Sequence, residues 1–280
     1  MTIEQKFYIL SLVNNHGGIR AESHVGKKQR RRDKLELTVA SLQQRYGARA
    51  AFRGRSPAAS FPTPTSSHIS TGFSQLDEAL NGGLPKGRIS EWVGQPTSGK
   101  TTLALKFLEQ AQQQLKQVGY IDQARYFDPD YAHRCGIDLS RLLIGTPYDP
   151  AETLAMAEAL VRDGGLAALV LDTLDFMWAD TQTTHLLNAS LGRLLKPLAQ
   201  SGTALLFLHD PLGAESSSLS ILAHYASVRL DVMRERWQTE HGDIRGYEAR
   251  IKVLKNRFGP PGRETKISIT FNGTIRGDGL

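Results

Sequence analysis

The stretch Gly94-Gln95-Pro96-Thr97-Ser98-Gly99-Lys100-Thr101-Thr102 decides how the rest of the chain is interpreted. It matches the phosphate-binding P-loop, a glycine-rich turn followed by lysine and then serine or threonine. Such a turn directs several backbone N–H groups at one point, and Lys100 adds a charge for the terminal phosphates of a nucleotide. Thr101 then offers its hydroxyl to Mg²⁺. The stretch predicts a site for ATP and Mg²⁺.

The residues on both sides of this turn fit the same interpretation. Residues 88–93 form a mostly apolar run that is typical of a buried strand, and an amphipathic helix begins at residues 103–108. The N-terminus of such a helix presents free N–H groups and the positive end of its dipole to an anion. This context disfavours the alternative, a chance glycine-rich loop.

Length and composition indicate one large α/β core with a smaller appendage. The chain has 280 residues, of which 40% are hydrophobic and 22% are charged, close to the globular average. The net charge is +6, and the run at residues 27–32 holds five cations, so the rest is nearly neutral. This run is either a solvated arm or a nucleic-acid contact, and the lack of neighbouring aromatic residues favours the arm.

Three segments follow from this organisation. Residues 1–53 hold the basic arm and a short amphipathic helix that suits docking, residues 54–68 form a Pro/Ser/Thr-rich linker, and residues 69–280 form the core. The single cysteine, Cys135, excludes an intrachain disulfide and fits a reducing cytoplasm. Because no apolar run approaches about 20 residues and no signal-peptide pattern is present, we expect a cytoplasmic protein without a membrane partner.

The core alternates strand and helix, which predicts a mainly parallel, twisted sheet covered on both faces. The predicted strands are 88–93, 117–122, 141–145, 167–172, 203–209, 226–232, 247–256 and 264–271, and the predicted helices are 100–115, 128–135, 151–163 and 183–200. The last three strands lack long connections and are expected to form an antiparallel extension. Ligands bind such sheets at the carboxyl ends of the strands, where Asp122, Asp172 and Asp210 would meet the P-loop.

Asp172 ends the apolar strand at residues 167–171, at a distance from the P-loop that is typical of the acid on the Mg²⁺ side of P-loop NTPases. We therefore expect Asp172 and Thr101 to hold the metal. The alternative is an aspartate that caps a loop.

Several further blocks of the core are distinctive. They are Ile69-Ser70-Thr71-Gly72, Gly82-Gly83-Leu84-Pro85-Lys86-Gly87, Tyr120-Ile121-Asp122, Asp128-Pro129-Asp130-Tyr131-Ala132, Tyr225-Ala226-Ser227-Val228-Arg229-Leu230-Asp231 and Arg250-Ile251-Lys252-Val253-Leu254-Lys255-Asn256-Arg257. With these blocks, residues 34–275 resemble the bacterial RecA recombinases. The resemblance implies a RecA-like ATP-binding core, an N-terminal helix that docks on a neighbouring protomer, and a role in DNA repair, recombination and the SOS response.

The same resemblance assigns roles to single residues. Asp128 and Tyr131 match adenine contacts, and Lys255 and Arg257 match cations that reach the nucleotide of the neighbouring protomer. Because the neighbouring protomer supplies them, Lys255 and Arg257 would stabilise phosphate charge only when two subunits meet, which couples nucleotide state to assembly. Lys100 would act on the nucleotide of its own chain. The alternative for Lys255 and Arg257 is a pair of exposed strand charges.

Two departures concern hydrolysis. Ala124 stands where the family has the glutamate that activates the attacking water, and a methyl group cannot deprotonate water. Asp210 replaces a glutamine that senses the γ-phosphate. Because an ionised Asp210 would be repelled by that phosphate, it must be protonated, turned away, or serving as a relocated base.

Other departures concern DNA. By this resemblance both DNA-binding loops of the family are short here, at residues 179–184 and 211–219, and we expect no counterpart of the family's C-terminal domain. We expect an ATP-binding protein of DNA repair with weak or DNA-dependent hydrolysis, acting as a homo-oligomer or with a RecA-type filament, with single-stranded DNA as a ligand. The alternative is a non-hydrolysing accessory protein of the ImuA type, with a translesion polymerase as a partner.

Overall fold

The computed structural model describes residues 67–114, 116–174, 181–211, 217–272 and 274–277, together with Ser41 and Gln44. The basic arm and the predicted linker up to residue 66 lie outside this part of the chain, as does nearly all of the predicted N-terminal helix. Residues 179–180 and 212–216 of the two shortened loops also lie outside it.

The described core alternates strands and helices. The strands are β1 (His68–Ile69), β2 (Leu84–Pro85), β3 (Ile89–Val93), β4 (Gln117–Asp122), β5 (Leu142–Gly145), β6 (Leu166–Leu174), β7 (Ala204–His209), β8 (Val228–Glu240), β9 (Asp243–Asn256), β10 (Glu264–Asn272) and β11 (Thr274–Gly277). The helices are α1 (Ser74–Leu80), α2 (Lys100–Gln112), α3 (Pro129–Arg134), α4 (Pro150–Asp163), α5 (Thr181–Ser201) and α6 (Ser217–Tyr225), with a 3₁₀ turn at Leu139–Arg141. Every strand and helix predicted for the core is present within a few residues, except that β8 and β9 are longer. The prediction missed α1, α6, β11 and the short β1–β2 pair.

Nine of the described strands form one sheet in the order β11-β10-β9-β8-β3-β7-β6-β4-β5. The pairs from β8 through β5 are parallel, and those from β8 through β11 are antiparallel. The predicted α/β class with an antiparallel extension is therefore confirmed. One detail was wrong: β8 was expected to lack a long connection, but α6 joins it to β7 and it pairs in parallel with β3. A parallel pairing requires such a crossover.

Helices cover both faces of the parallel strands, which is why those strands are apolar along their whole length. On one face Trp92 of β3 packs edge to face on Phe107 of α2, with ring centroids 6.3 Å apart. On the other face Phe207 of β7 lies in a buried cluster with Leu187 and Leu191 of α5. None of the described helices combines the length and apolar character that crossing a membrane requires.

Candidate nucleotide-binding site

The P-loop joins the end of β3 to the start of α2, and its two glycines are required by close contacts. A Cβ on Gly94 would lie 2.3 Å from the carbonyl oxygen of Val232. Gly99 has φ +100°, and a Cβ there would lie 2.6 Å from the Tyr247 hydroxyl. A larger residue at either position would displace the neighbouring backbone or ring. The loop therefore packs tightly against β8 and β9.

A cavity of about 430 Å³ opens beside this loop at the carboxyl ends of the parallel strands. Its lining residues include most of those predicted from the sequence: Pro96, Thr97, Lys100, Thr101, Ala124, Asp128, Tyr131, Asp172 and Asp210. Lys255 and Arg257 do not line it. The fold thus gathers the predicted P-loop, metal and adenine residues at one edge of the sheet, as the rule for open α/β sheets predicts.

Lys100 is saturated by acceptors from its own chain. Its Nζ donates to the carbonyl oxygens of Gly94 at 2.6 Å and Gln95 at 3.0 Å, and to Asp210 Oδ1 at 2.8 Å. The Lys100 side chain is 7% exposed and that of Asp210 is 32% exposed. Asp210 is therefore placed as the counter-ion of the P-loop lysine in this structure.

Thr101 and Asp172 come together as the Mg²⁺ prediction requires. The Thr101 hydroxyl donates to Asp172 Oδ2 at 3.2 Å, and the Tyr120 hydroxyl of β4 donates to the same oxygen. Hydroxyl and carboxylate oxygens are the hard ligands that Mg²⁺ prefers, so this pair fits the ion. Burial and the Asp172 carboxylate raise the pKa of Tyr120 well above its usual value, so Tyr120 remains a donor.

The two residues predicted to contact adenine also hold local structure. Asp128 caps α3 by accepting a hydrogen bond from the backbone N–H of Tyr131 at 3.0 Å. The Tyr131 hydroxyl lies 2.5 Å from the hydroxyl of Thr102 on α2. Tyr131 is thereby fixed against the P-loop helix, and its contact with adenine stays a prediction.

Every carboxylate on the cavity wall is already engaged. Asp122 accepts from the backbone N–H groups of Tyr126 at 3.2 Å and Phe127 at 2.8 Å, and thereby shapes the loop that carries Ala124. Asp128, Asp172 and Asp210 have the partners described above. Ala124 itself contributes only a methyl group. Within the described residues, the wall offers no free carboxylate to activate water.

Lys255 and Arg257 lie together at the C-terminal end of α6. Lys255 Nζ donates to the carbonyl oxygens of Ala223 at 2.7 Å and His224 at 3.1 Å, and Arg257 donates to His224 O at 3.0 Å. The C-terminal end of a helix is the negative end of its dipole and therefore favours cations. Burial and the Arg257 guanidinium lower the pKa of Lys255, an effect that the Glu91 carboxylate opposes.

Sequence reasoning missed a buried charged cluster beneath the P-loop. Glu91 of β3 and His209 of β7 are fully buried, with Glu91 Oε1 2.5 Å from His209 Nε2. Arg229 Nε of β8 lies 3.1 Å from Glu91 Oε2, at an angle that does not make a hydrogen bond. The available signal was Glu91 itself, because a glutamate within a buried strand needs a partner.

Arg234 was also missed. Its guanidinium donates to the carbonyl oxygen of Thr97 at 2.8 Å and stacks over Trp237, 4.1 Å from the ring centroid. Thr97 has φ +63°, a left-handed conformation that is uncommon for threonine. Arg234 therefore ties the strained part of the P-loop to β8. No spacing in the sequence links these two residues.

The sequence matches the model of the RecA N-terminal domain over residues 33–189 and 214–276. The chain belongs to the RecA family. Protein RecA of Amycolatopsis mediterranei (strain U-32) is 33% identical over 271 residues, which cover 88% of this chain and 76% of that protein. Protein RecA of Nocardia farcinica is 33% identical over 275 residues, which cover 89% and 77%. The resemblance stated from the motifs is thereby confirmed.

Solved structures agree on the fold. The crystal structure of the RadB recombinase superposes with a TM-score of 0.59 at 23% identity, over 74% of this chain and 98% of that one. Membership of the RecA family supports DNA repair and recombination as the general field of action. The RecA match omits residues 190–213, which include β7, His209 and Asp210. Asp210, which pairs with the P-loop lysine, thus lies in the unmatched part.

Proposed function

We propose that this chain binds ATP with Mg²⁺ at the cavity beside the P-loop and hydrolyses it slowly. It acts in DNA repair or recombination, assembled with copies of itself or with a RecA-type filament. The strongest support is the convergence of Lys100, Thr101 and Asp172 at the start of α2, where a strand, a tight turn and a helix N-terminus form an anion site.

The residues divide the work of binding. The P-loop N–H groups and the start of α2 bind phosphate oxygens, and Lys100 neutralises their charge. Thr101 and Asp172 would hold Mg²⁺, which when bound screens the phosphates. Tyr120 keeps Asp172 turned toward Thr101 by its hydrogen bond. Tyr131 is placed for the base, because it lines the same cavity and is fixed against α2.

A second candidate is a nucleotide-binding accessory protein that does not hydrolyse ATP, similar to the ImuA-type factors. The engaged carboxylates and the pairing of Lys100 with Asp210 favour it. Measuring ATP turnover with and without single-stranded DNA separates the candidates, because a DNA-stimulated rate fits only the first. DNA binding at two salt concentrations shows how many phosphate contacts the chain makes.

Replacing Lys100 tests the nucleotide site itself. We expect Lys100→Ala to weaken ATP binding at least about 100-fold in calorimetry, because a charged donor is lost and Asp210 is left without its counter-ion. Lys196→Ala, on the exposed face of α5, serves as the matched control and should bind like the wild type. Equal affinity in Lys100→Ala and the control would refute the P-loop assignment.

A further inference from the structure

The ammonium group of Lys100 has three N–H donors, and each finds an acceptor within the chain. Two acceptors are P-loop carbonyl oxygens, which the loop holds beside the lysine. The third, Asp210 Oδ1, is the one anion and belongs to a side chain that is one-third exposed. A phosphate oxygen that binds Lys100 must therefore replace Asp210 rather than a carbonyl.

Resting on the nucleotide site proposed above, we infer that Asp210 is a specificity-determining residue that disfavours nucleoside triphosphates relative to diphosphates. Its carboxylate occupies on Lys100 the place of a phosphate oxygen, so a nucleotide binds in competition with it. The penalty grows with the number of phosphates because the P-loop lysine reaches the β- and γ-positions, and a triphosphate brings a further anionic group to the carboxylate.

Displacement does not remove Asp210 from the site. Its carbonyl oxygen lies 3.0 Å from His209 Nδ1, and the other ring nitrogen of His209 lies 2.5 Å from Glu91. Both His209 and Glu91 are fully buried, and the backbone N–H of Gly94 donates to His209 O at 3.3 Å. The main chain of His209, at the end of β7, is thus hydrogen-bonded to the P-loop, so a phosphate would displace the carboxylate by rotation of the Asp210 side chain.

A displaced carboxylate therefore stays close to the bound phosphates. Asp172, 3.2 Å from the Thr101 hydroxyl, is a second carboxylate on the same cavity wall. Mg²⁺ held by Thr101 and Asp172 would neutralise the charge of Asp172. Asp210 instead pairs with Lys100, the cation that the phosphates themselves require. Asp210 is consequently the carboxylate whose removal should favour a triphosphate most.

Calorimetric titration of the full chain with ATP and with ADP, both with Mg²⁺, tests this inference. We expect Asp210→Asn to tighten ATP binding by about tenfold or more, because one like charge is removed at close range. The gain in affinity for ADP should be at least about threefold smaller than the gain for ATP, because ADP brings one anionic group fewer to the carboxylate. Asp210→Ala, which lacks the amide, should shift both affinities in the same direction and so show that charge is the cause.

Asp130→Asn is the matched control, since Asp130 is an exposed acid on α3 that does not line the cavity. It should leave both affinities near the wild-type values. Melting of the nucleotide-free variants adds a second measurement: both Asp210 variants should melt below the wild type without nucleotide and gain more from ATP.

The outcomes separate the two claims. Equal affinities for ATP in wild type and Asp210→Asn, or weaker binding by the variant, would overturn the role of Asp210 while leaving the nucleotide site intact. Binding of ATP by Asp210→Asn alone would support the inference strongly. No binding of either nucleotide by any variant would overturn the proposed function together with this inference.

Discussion

Two groups of cations in this chain are partnered in opposite ways. Lys100, beneath the nucleotide cavity, meets an aspartate as well as two carbonyl oxygens. Lys255 and Arg257, at the end of α6, meet carbonyl oxygens, and no ion pair to either is found within the described residues. The charge of Lys100 is balanced by an anion of its own chain, whereas no described acid pairs with Lys255 or Arg257.

This difference affects which of these cations an external phosphate group binds more favourably. Hydrogen bonds donated to neutral carbonyl oxygens orient a cation without neutralising it, so Lys255 and Arg257 keep their attraction for an anion. At Lys100 a phosphate must first displace a carboxylate. A nucleotide bound between two protomers would thus meet a lysine already paired with Asp210 on one chain. On the other chain it would meet Lys255 and Arg257, which are held by carbonyl oxygens. Three predictions test this contrast, beginning with the largest expected effect.

The first prediction adds a free carboxylate to the cavity wall, where the described carboxylates are already engaged. We expect Ala124→Glu to raise ATP turnover by about 10² to 10⁴, the usual contribution of a general base. Ala124→Gln is the matched control, since it has the same shape but cannot accept the proton. Steady-state phosphate release measures the rates of both variants.

Asp210→Asn completes that experiment. Because Asp210 pairs with Lys100, slow wild-type turnover should not fall further in this variant. Measurable wild-type turnover that Asp210→Asn removes would instead identify Asp210 as a relocated base. Rapid wild-type turnover that survives this change would mean that Ala124 does not occupy the position of the catalytic glutamate, or that another acid, such as Asp122 or Asp175, has taken the role.

Replacing Lys255 and Arg257 tests the other half of this comparison. The double variant Lys255→Ala/Arg257→Ala should bind ATP normally as a monomer. It should need at least about tenfold more protein to assemble with ATP, because charge pairs across an interface are lost. Light scattering with and without ATP measures this.

The control for assembly is Arg250→Ala/Lys252→Ala on the same strand, β9. Arg250 and Lys252 already face Glu264, with N–O distances of 3.7 Å and 3.2 Å. Their removal should leave ATP-dependent assembly unchanged. If both double variants assemble with ATP like the wild type, Lys255 and Arg257 are exposed strand charges and nothing more.

The smallest effect is expected from removing one hydrogen bond to Asp172. Tyr120→Phe removes the hydroxyl that holds Asp172, so Mg²⁺ affinity in the presence of ATP should fall by about tenfold, as for other partners of metal ligands. Tyr148→Phe, at a largely exposed tyrosine, is the control. A Mg²⁺ titration of nucleotide binding that gives the same midpoint for both variants would show that Asp172 is positioned without Tyr120.

The fold was largely predictable because its signals are local. Continuous apolar runs such as residues 204–208 predict strands buried on both faces, and the P-loop fixes one strand–turn–helix order. Helix α6 was missed because its first residues, 217–219, fall in the segment assigned to the shortened loop at residues 211–219. Without that helix, the parallel pairing of β8 with β3 was not foreseen.

By itself, the sequence determined the fold class and the P-loop. It also predicted the roles of Lys100, Thr101, Asp172 and Ala124, since each is a residue type at a fixed place in a motif. Tertiary structure alone decided which charges meet. Residues 100 and 210 are far apart in the chain, yet the parallel order of β3 and β7 brings their side chains within 2.8 Å. The same sheet buries Glu91 against His209, and the end of α6 receives Lys255. Electrostatic pairing depends on distance in space, which no spacing along the chain encodes.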